Sequence, residues 1–78
     1  MYAPGEKLKN GTTVIAIFMT GTQGTVLAST GPLGGLPFAT WQMNEQGDTF
    51  WGHYFETLQE ARDDFSERVK TVQRRYAA

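Results

Sequence analysis

Hydrophobic and polar positions along this chain change period twice. From Thr13 to Met19 the run Val14-Ile-Ala-Ile-Phe-Met is apolar at every position, β-branched and too short for a surface helix, which predicts a strand buried on both faces. Strict alternation would send Val14, Ala16 and Phe18 one way and Ile15, Ile17 and Met19 the other. After a Thr20-Gly-Thr-Gln-Gly24 turn, Thr25-Val-Leu-Ala-Ser29 reads as the returning strand. Phe38-Ala-Thr-Trp-Gln-Met43 and Thr49-Phe-Trp-Gly-His-Tyr-Phe55 alternate across a second hairpin. From Leu58 the period lengthens to three or four: Leu58, Ala61, Phe65, Val69, Val72 and Tyr76 make one apolar stripe of a helix over 57–76. The expected architecture is α+β, a four-stranded, mainly antiparallel β-meander (13–19, 25–30, 37–43, 49–55) with one C-terminal α-helix packed across one face.

Local signals fix the joints. Asn44-Glu-Gln-Gly47 suits a type I turn closed by a left-handed Gly47, so Asn44 faces Asp48 and the register pairs Met43 with Thr49 and Gln42 with Phe50. Continued outwards, it pairs Trp41 with Trp51, Ala39 with His53 and Phe38 with Tyr54. Trp41, Met43, Trp51 and His53 would then share one face, opposite Phe38, Thr40, Gln42, Phe50, Gly52 and Tyr54. Thr57-Leu-Gln-Glu60 is a capping box at the helix start, and the acidic first half and basic second half of the helix match its dipole. Asn10-Gly11 favours a tight turn that folds Lys7-Leu-Lys9 back as a short extra strand within a 1–12 lead-in. Ser29 to Pro37, rich in Gly and Pro, is the one long loop.

Composition narrows the function. At 78 residues the chain is read as a single domain, 1–78, whose private core is small, so association with a partner is expected to support it. It has no cysteine, which removes disulfides, thiolate catalysis and Cys-based zinc sites. A formal net charge of −1 argues against a polyanion binder. The N-terminus lacks the apolar core of a signal peptide and no run is long enough to span a bilayer, so a cytoplasmic protein with no membrane partner is expected. No charged side chain occurs from Asn10 through Asn44, so these strands lack the Lys and Glu that discourage pairing with other chains.

The chemistry-bearing residues do not assemble into a recognisable catalytic set. His53 is the sole histidine, with neither a positioned nucleophile nor further metal ligands in its pattern. Asp63 and Asp64 point in different directions around the helix. The 29–37 loop lacks the lysine and following helix of a phosphate-cradling loop. Trp41, Phe50, Trp51 and Tyr54 could stack bases, yet their strands carry no Lys or Arg to hold a phosphate chain. No catalytic, metal or cofactor residue is assigned, and no cofactor is expected.

The residues Pro37-Phe-Ala-Thr-Trp41, Asn44, Gly47-Asp48, Phe50-Trp-Gly-His-Tyr-Phe55, Glu60-Ala61 and Asp64-Phe65-Ser-Glu-Arg68 form a pattern over the C-terminal half. It resembles that of short bacterial proteins found in phages, plasmids and other mobile DNA, to which no activity is assigned. The resemblance implies the hairpin-helix unit and a mobile-element origin. Together these readings lead to a non-enzymatic protein-interaction module, homodimeric, adaptor or inhibitor of a host protein; a nucleic-acid-associated accessory protein is the alternative. Because one helix covers only one sheet face, the uncovered face would be the interface, with Trp41, Met43, Trp51, His53, Ile15 and Ile17 as its candidates. The competing account is a curled sheet that covers its own second face with the 29–37 loop as a lid.

Overall fold

The computed structural model describes residues 2–31 and 35–76, Tyr76 by its backbone alone. Four strands, β1 (Thr13–Thr20), β2 (Gln23–Ser29), β3 (Phe38–Asn44) and β4 (Thr49–Phe55), precede one helix, α1 (Leu58–Tyr76). The strands form a single antiparallel sheet in the order β1-β2-β3-β4, and α1 lies across it chiefly over β2 and β3. This is the α+β meander that the change of period predicts.

The helix is capped at Thr57 by half of the expected capping box, the Glu60 carboxylate meeting the Thr57 hydroxyl in place of the Thr57 backbone amide. The Thr57 hydroxyl accepts a hydrogen bond from the Glu60 amide at 3.2 Å and donates to the Glu60 carboxylate at 3.0 Å. Ala61, fully buried, brings the helix close to the sheet, and Val72 is buried near its far end. Phe65 and Val69 are half-buried, and Leu58 lies at the margin of the packed stripe. The Tyr76 side chain lies outside the described residues, as do residues 32–34 of the long loop. At the base of that loop the Thr30 amide donates to the Pro37 carbonyl at 2.9 Å and the Thr30 hydroxyl to the Leu36 carbonyl at 2.6 Å.

The β3–β4 turn has the expected form. Gly47 has φ +88°, its amide donates to Asn44 O at 3.1 Å, and the Asn44 side-chain oxygen accepts from the Gln46 and Asp48 amides, each at 3.0 Å. Met43 pairs with Thr49 and Gln42 with Phe50, as the turn dictates. Beyond that point the expected register fails. Trp51 and Gly52 together oppose Trp41, so the ladder resumes one residue out of phase, with Thr40 beside His53, Ala39 beside Tyr54 and Phe38 beside Phe55. Trp41 and Trp51 are therefore not a cross-strand pair, and His53 and Tyr54 exchange faces relative to the expectation. Gly52 explains why the slip occurs here: a Cβ at that position would clash with the Trp41 indole nitrogen, so the indole needs bare backbone beneath it. A second irregularity at Ile15 leaves Val14 beside Ala28 and Ala16 beside Leu27. Val14 thereby joins the face of Ile17 and Met19 that alternation alone would deny it.

The face away from the helix holds the main apolar cluster: Val14, Val26, Ala28, Ala39, Trp41 and Met43, with Ile17 and Met19 packed against them. Its cover is the N-terminal segment. Leu8 is buried in the cluster and Tyr2 packs on it. Backbone hydrogen bonds from Gly5 to Val14 O and from Val14 to Glu6 O, both 2.8 Å, tie the segment to the edge of β1. Lys9 then reaches Asp48 at 3.1 Å and Asn10 reaches Thr49 at 3.3 Å, on the far side of the sheet. The expected extra strand is reduced to a single bridge between Lys7 and Thr13, turned by Gly11. The second face is thus covered from within the chain by residues 2–12, while the middle of the 29–37 loop, the lid of the competing account, lies outside the described residues.

Candidate functional site

The register slip on β4 brings four polar groups together under the middle of the helix. Thr40, on β3, points to the helix side and its hydroxyl donates to Asp64 Oδ2; Arg68 Nε donates to the same oxygen at 2.9 Å. His53 Nδ1 lies 3.4 Å from Asp64 Oδ1. The other arm of the Arg68 guanidinium donates to the backbone carbonyl of Trp51. Asp64 and Arg68 are one helical turn apart, the pair visible in sequence, and here it doubles as the clamp between helix and sheet. Partial burial pushes the Asp64 carboxyl up, but hydrogen bonds from Thr40, Arg68 and His53 and the Arg68 charge outweigh it and hold it below its ordinary value.

The clamp holds Trp51 in an unusual pose. Trp51 has φ +52°, the sole non-glycine residue with positive φ among the described residues, and is 72% exposed. Phe50 is 42% exposed with its ring 6.1 Å from that of Trp51, and Tyr54 is 54% exposed, its ring edge-on to Trp41 at 5.9 Å. Strand β4 is also an edge of the sheet and carries no formally charged side chain other than His53 when protonated. It therefore presents three large aromatics beside an unpaired strand edge.

Of the candidate interface residues, Trp41 and Met43 lie in the interior, 7% and 2% exposed, and Ile17 packs against the same cluster. They fall there because the N-terminal segment covers their face. Trp51 and His53 are exposed along β4, and Ile15 is at the opposite edge, on β1. The six are thus split between core and two edges. Phe50 and Tyr54, which the sequence suggests only as base-stacking residues and not as interface candidates, stand on the surface with Trp51; only the bulge brings Tyr54 and Trp51 out together, and its sole sequence sign is Gly52.

As chemistry, the His53–Asp64 pair has the geometry to orient an imidazole. Neither the cavity lined by Tyr2, Met19 and Met43 nor the groove between α1 and β1 is lined by it, and no group of three or more His, Cys, Asp or Glu side chains gathers among the described residues. No helix among them is long and apolar enough to cross a membrane. Compared with family models, with curated proteins and with solved structures, the chain has no significant match.

Proposed function

We propose that this chain is a non-enzymatic protein-interaction module that pairs with a second copy of itself along β4. The observation that carries the reading is the uncharged edge strand bearing exposed Phe50, Trp51 and Tyr54. Aromatic residues of this kind dominate binding energy where they are desolvated by a partner, and a strand edge offers backbone groups to it. Trp51 is held in a left-handed conformation that costs roughly 1–2 kcal/mol, and strain of that kind gathers at binding sites where the fixed pose is used. A second copy is the occupant favoured because two-fold pairing is the commonest symmetric solution and the strand brings no fixed charge to repel its own copy. Such a dimer would serve a mobile element, the origin that the resemblance of its C-terminal half implies, and on this reading would act there as an adaptor or inhibitor of a host protein.

The nucleic-acid alternative is less well supported by the same surface. Arg68, the basic residue next to the exposed aromatics, already has its charge paired with Asp64 and one arm on the Trp51 carbonyl, so it is poorly placed to hold a phosphate. Sedimentation equilibrium is the test. A dimer in the parent and a monomer in Trp51→Gly are expected, whereas a parent that stays monomeric at high micromolar concentration removes the reading.

A further inference from the structure

On the other side of the helix from Asp64, a groove of about 450 Å³ opens between the start of α1 and β1. Leu27, fully buried, and Ala16 lie at its base, and Phe65 lines it from the helix. Ile15 and Leu58, each 36% exposed, are apolar residues left partly uncovered along it. Its volume is in the range of small-molecule sites, which are apolar clefts with few polar groups. The polar side chains here are Arg62 and Ser66, four residues apart and so stacked on one helix face. Arg62 forms no ion pair among the described residues, in contrast to Arg68.

We infer that this groove binds a small aliphatic carboxylate, its chain along Ile15, Leu27, Leu58 and Phe65 and its headgroup on Arg62. An apolar trough closed at one point by an unpaired guanidinium is complementary to a molecule with one apolar body and one anionic end. The planar guanidinium fork matches the two carboxylate oxygens, and Ser66 can donate a further hydrogen bond. A neutral lipid or an aliphatic cation would leave that charge unmatched or repelled. The irregularity at Ile15 supplies the wall, since regular alternation would turn this side chain to the opposite face. The groove lies at the β1 side of the sheet and β4 at the other edge, so the site stands whether or not the chain dimerises.

Decanoate is the probe, titrated at neutral pH below its micelle-forming concentration into methyl-labelled full-length protein. Saturable shifts at the Ile15, Leu27 and Leu58 methyls are expected. Arg62→Gln, a change at an exposed position, is expected to weaken decanoate about tenfold while leaving decanol almost unchanged. That contrast assigns the charge to the headgroup and not to the fold. Unsaturable shifts, shifts centred on the Tyr2–Met19–Met43 cavity, or equal decanoate affinity in Arg62→Gln would each overturn the assignment.

Discussion

Trp51 and Asp64 show how single residues set this surface. A tryptophan at φ +52° carries a steric cost of roughly 1–2 kcal/mol that glycine does not, while glycine adds about 0.5–1 kcal/mol of unfolded-state entropy. At 72% exposure, Trp51 has little burial to lose. Trp51→Gly should therefore keep or gain about 0.5 kcal/mol of stability, read from the urea midpoint of the monomeric species, even as self-association fails. A loss of 2 kcal/mol would mean that the ring supports the fold. Asp64 yields a pH prediction of defined sign. Its carboxyl is held below the ordinary 3.8, so its stabilising contribution is complete above that value and is lost as pH falls through the lower folded-state value. Asp64→Asn removes the charge that Thr40, Arg68 and His53 gather around. The parent should be the more stable at pH 7, and the gap should close as the pH is taken below about 4. A gap independent of pH would show that the amide fails by shape and not by charge.

At the scale of elements, the helix was the most legible part of the sequence and the bulge on β4 the least. Thr57, Glu60 and the Leu58-to-Val72 stripe are local signals, and the helix starts and faces the sheet where they say. Asn44 and Gly47 likewise set the first two pairs of the β3–β4 ladder correctly, because turn geometry acts over a few residues. The slip at Trp51–Gly52 arises from the Trp41 indole lying over the neighbouring backbone, a contact between strands that alternation does not encode. One extra residue is enough to exchange the faces of His53 and Tyr54, and with them the make-up of the polar clamp and the exposed strip. The stripe also overstates how deeply the helix is buried. Phe65 is half-buried beside the groove, so Phe65→Ala should cost about 2 kcal/mol, less than the roughly 3–5 kcal/mol of a fully buried ring. Equilibrium unfolding with an unchanged denaturant slope checks it, and a cost near zero would mean that the helix gains nothing from that contact.

The whole molecule has two apolar layers, one under α1 and one under residues 2–12, and the second was hard to foresee. A lead-in of turn residues with Glu6, Lys7 and Lys9 as its charges gives no periodic signal; its apolar anchors are Tyr2 and Leu8. These two are placed by distant partners. Leu8 enters the cluster around Val14, Val26 and Trp41, and Tyr2 lies over Gly47, where an added Cβ would come within 2.6 Å of the ring. Lys9 and Asn10 then fasten the segment to the Asp48–Thr49 corner, whose carboxyl is lowered by hydrogen bonds from Asn44 and Lys9 and by the Lys9 charge. The Lys9–Asp48 pair is solvent-exposed, so its weight in stability is small and the apolar anchor carries the closure. Leu8→Ala should accordingly cost about 2–4 kcal/mol, whereas Lys9→Ala should change stability by less than about 1 kcal/mol. If the segment is a true part of the fold, Leu8→Ala lowers the urea midpoint in one cooperative transition, and amide exchange rises throughout the sheet. Were the segment only laid on a self-sufficient sheet, exchange would rise in residues 2–12 alone, and the newly bare Trp41–Met43 face would show itself by binding an apolar dye with the strands still protected. The first outcome is expected, because the cluster that Leu8 completes contains residues from β1, β2 and β3 at once.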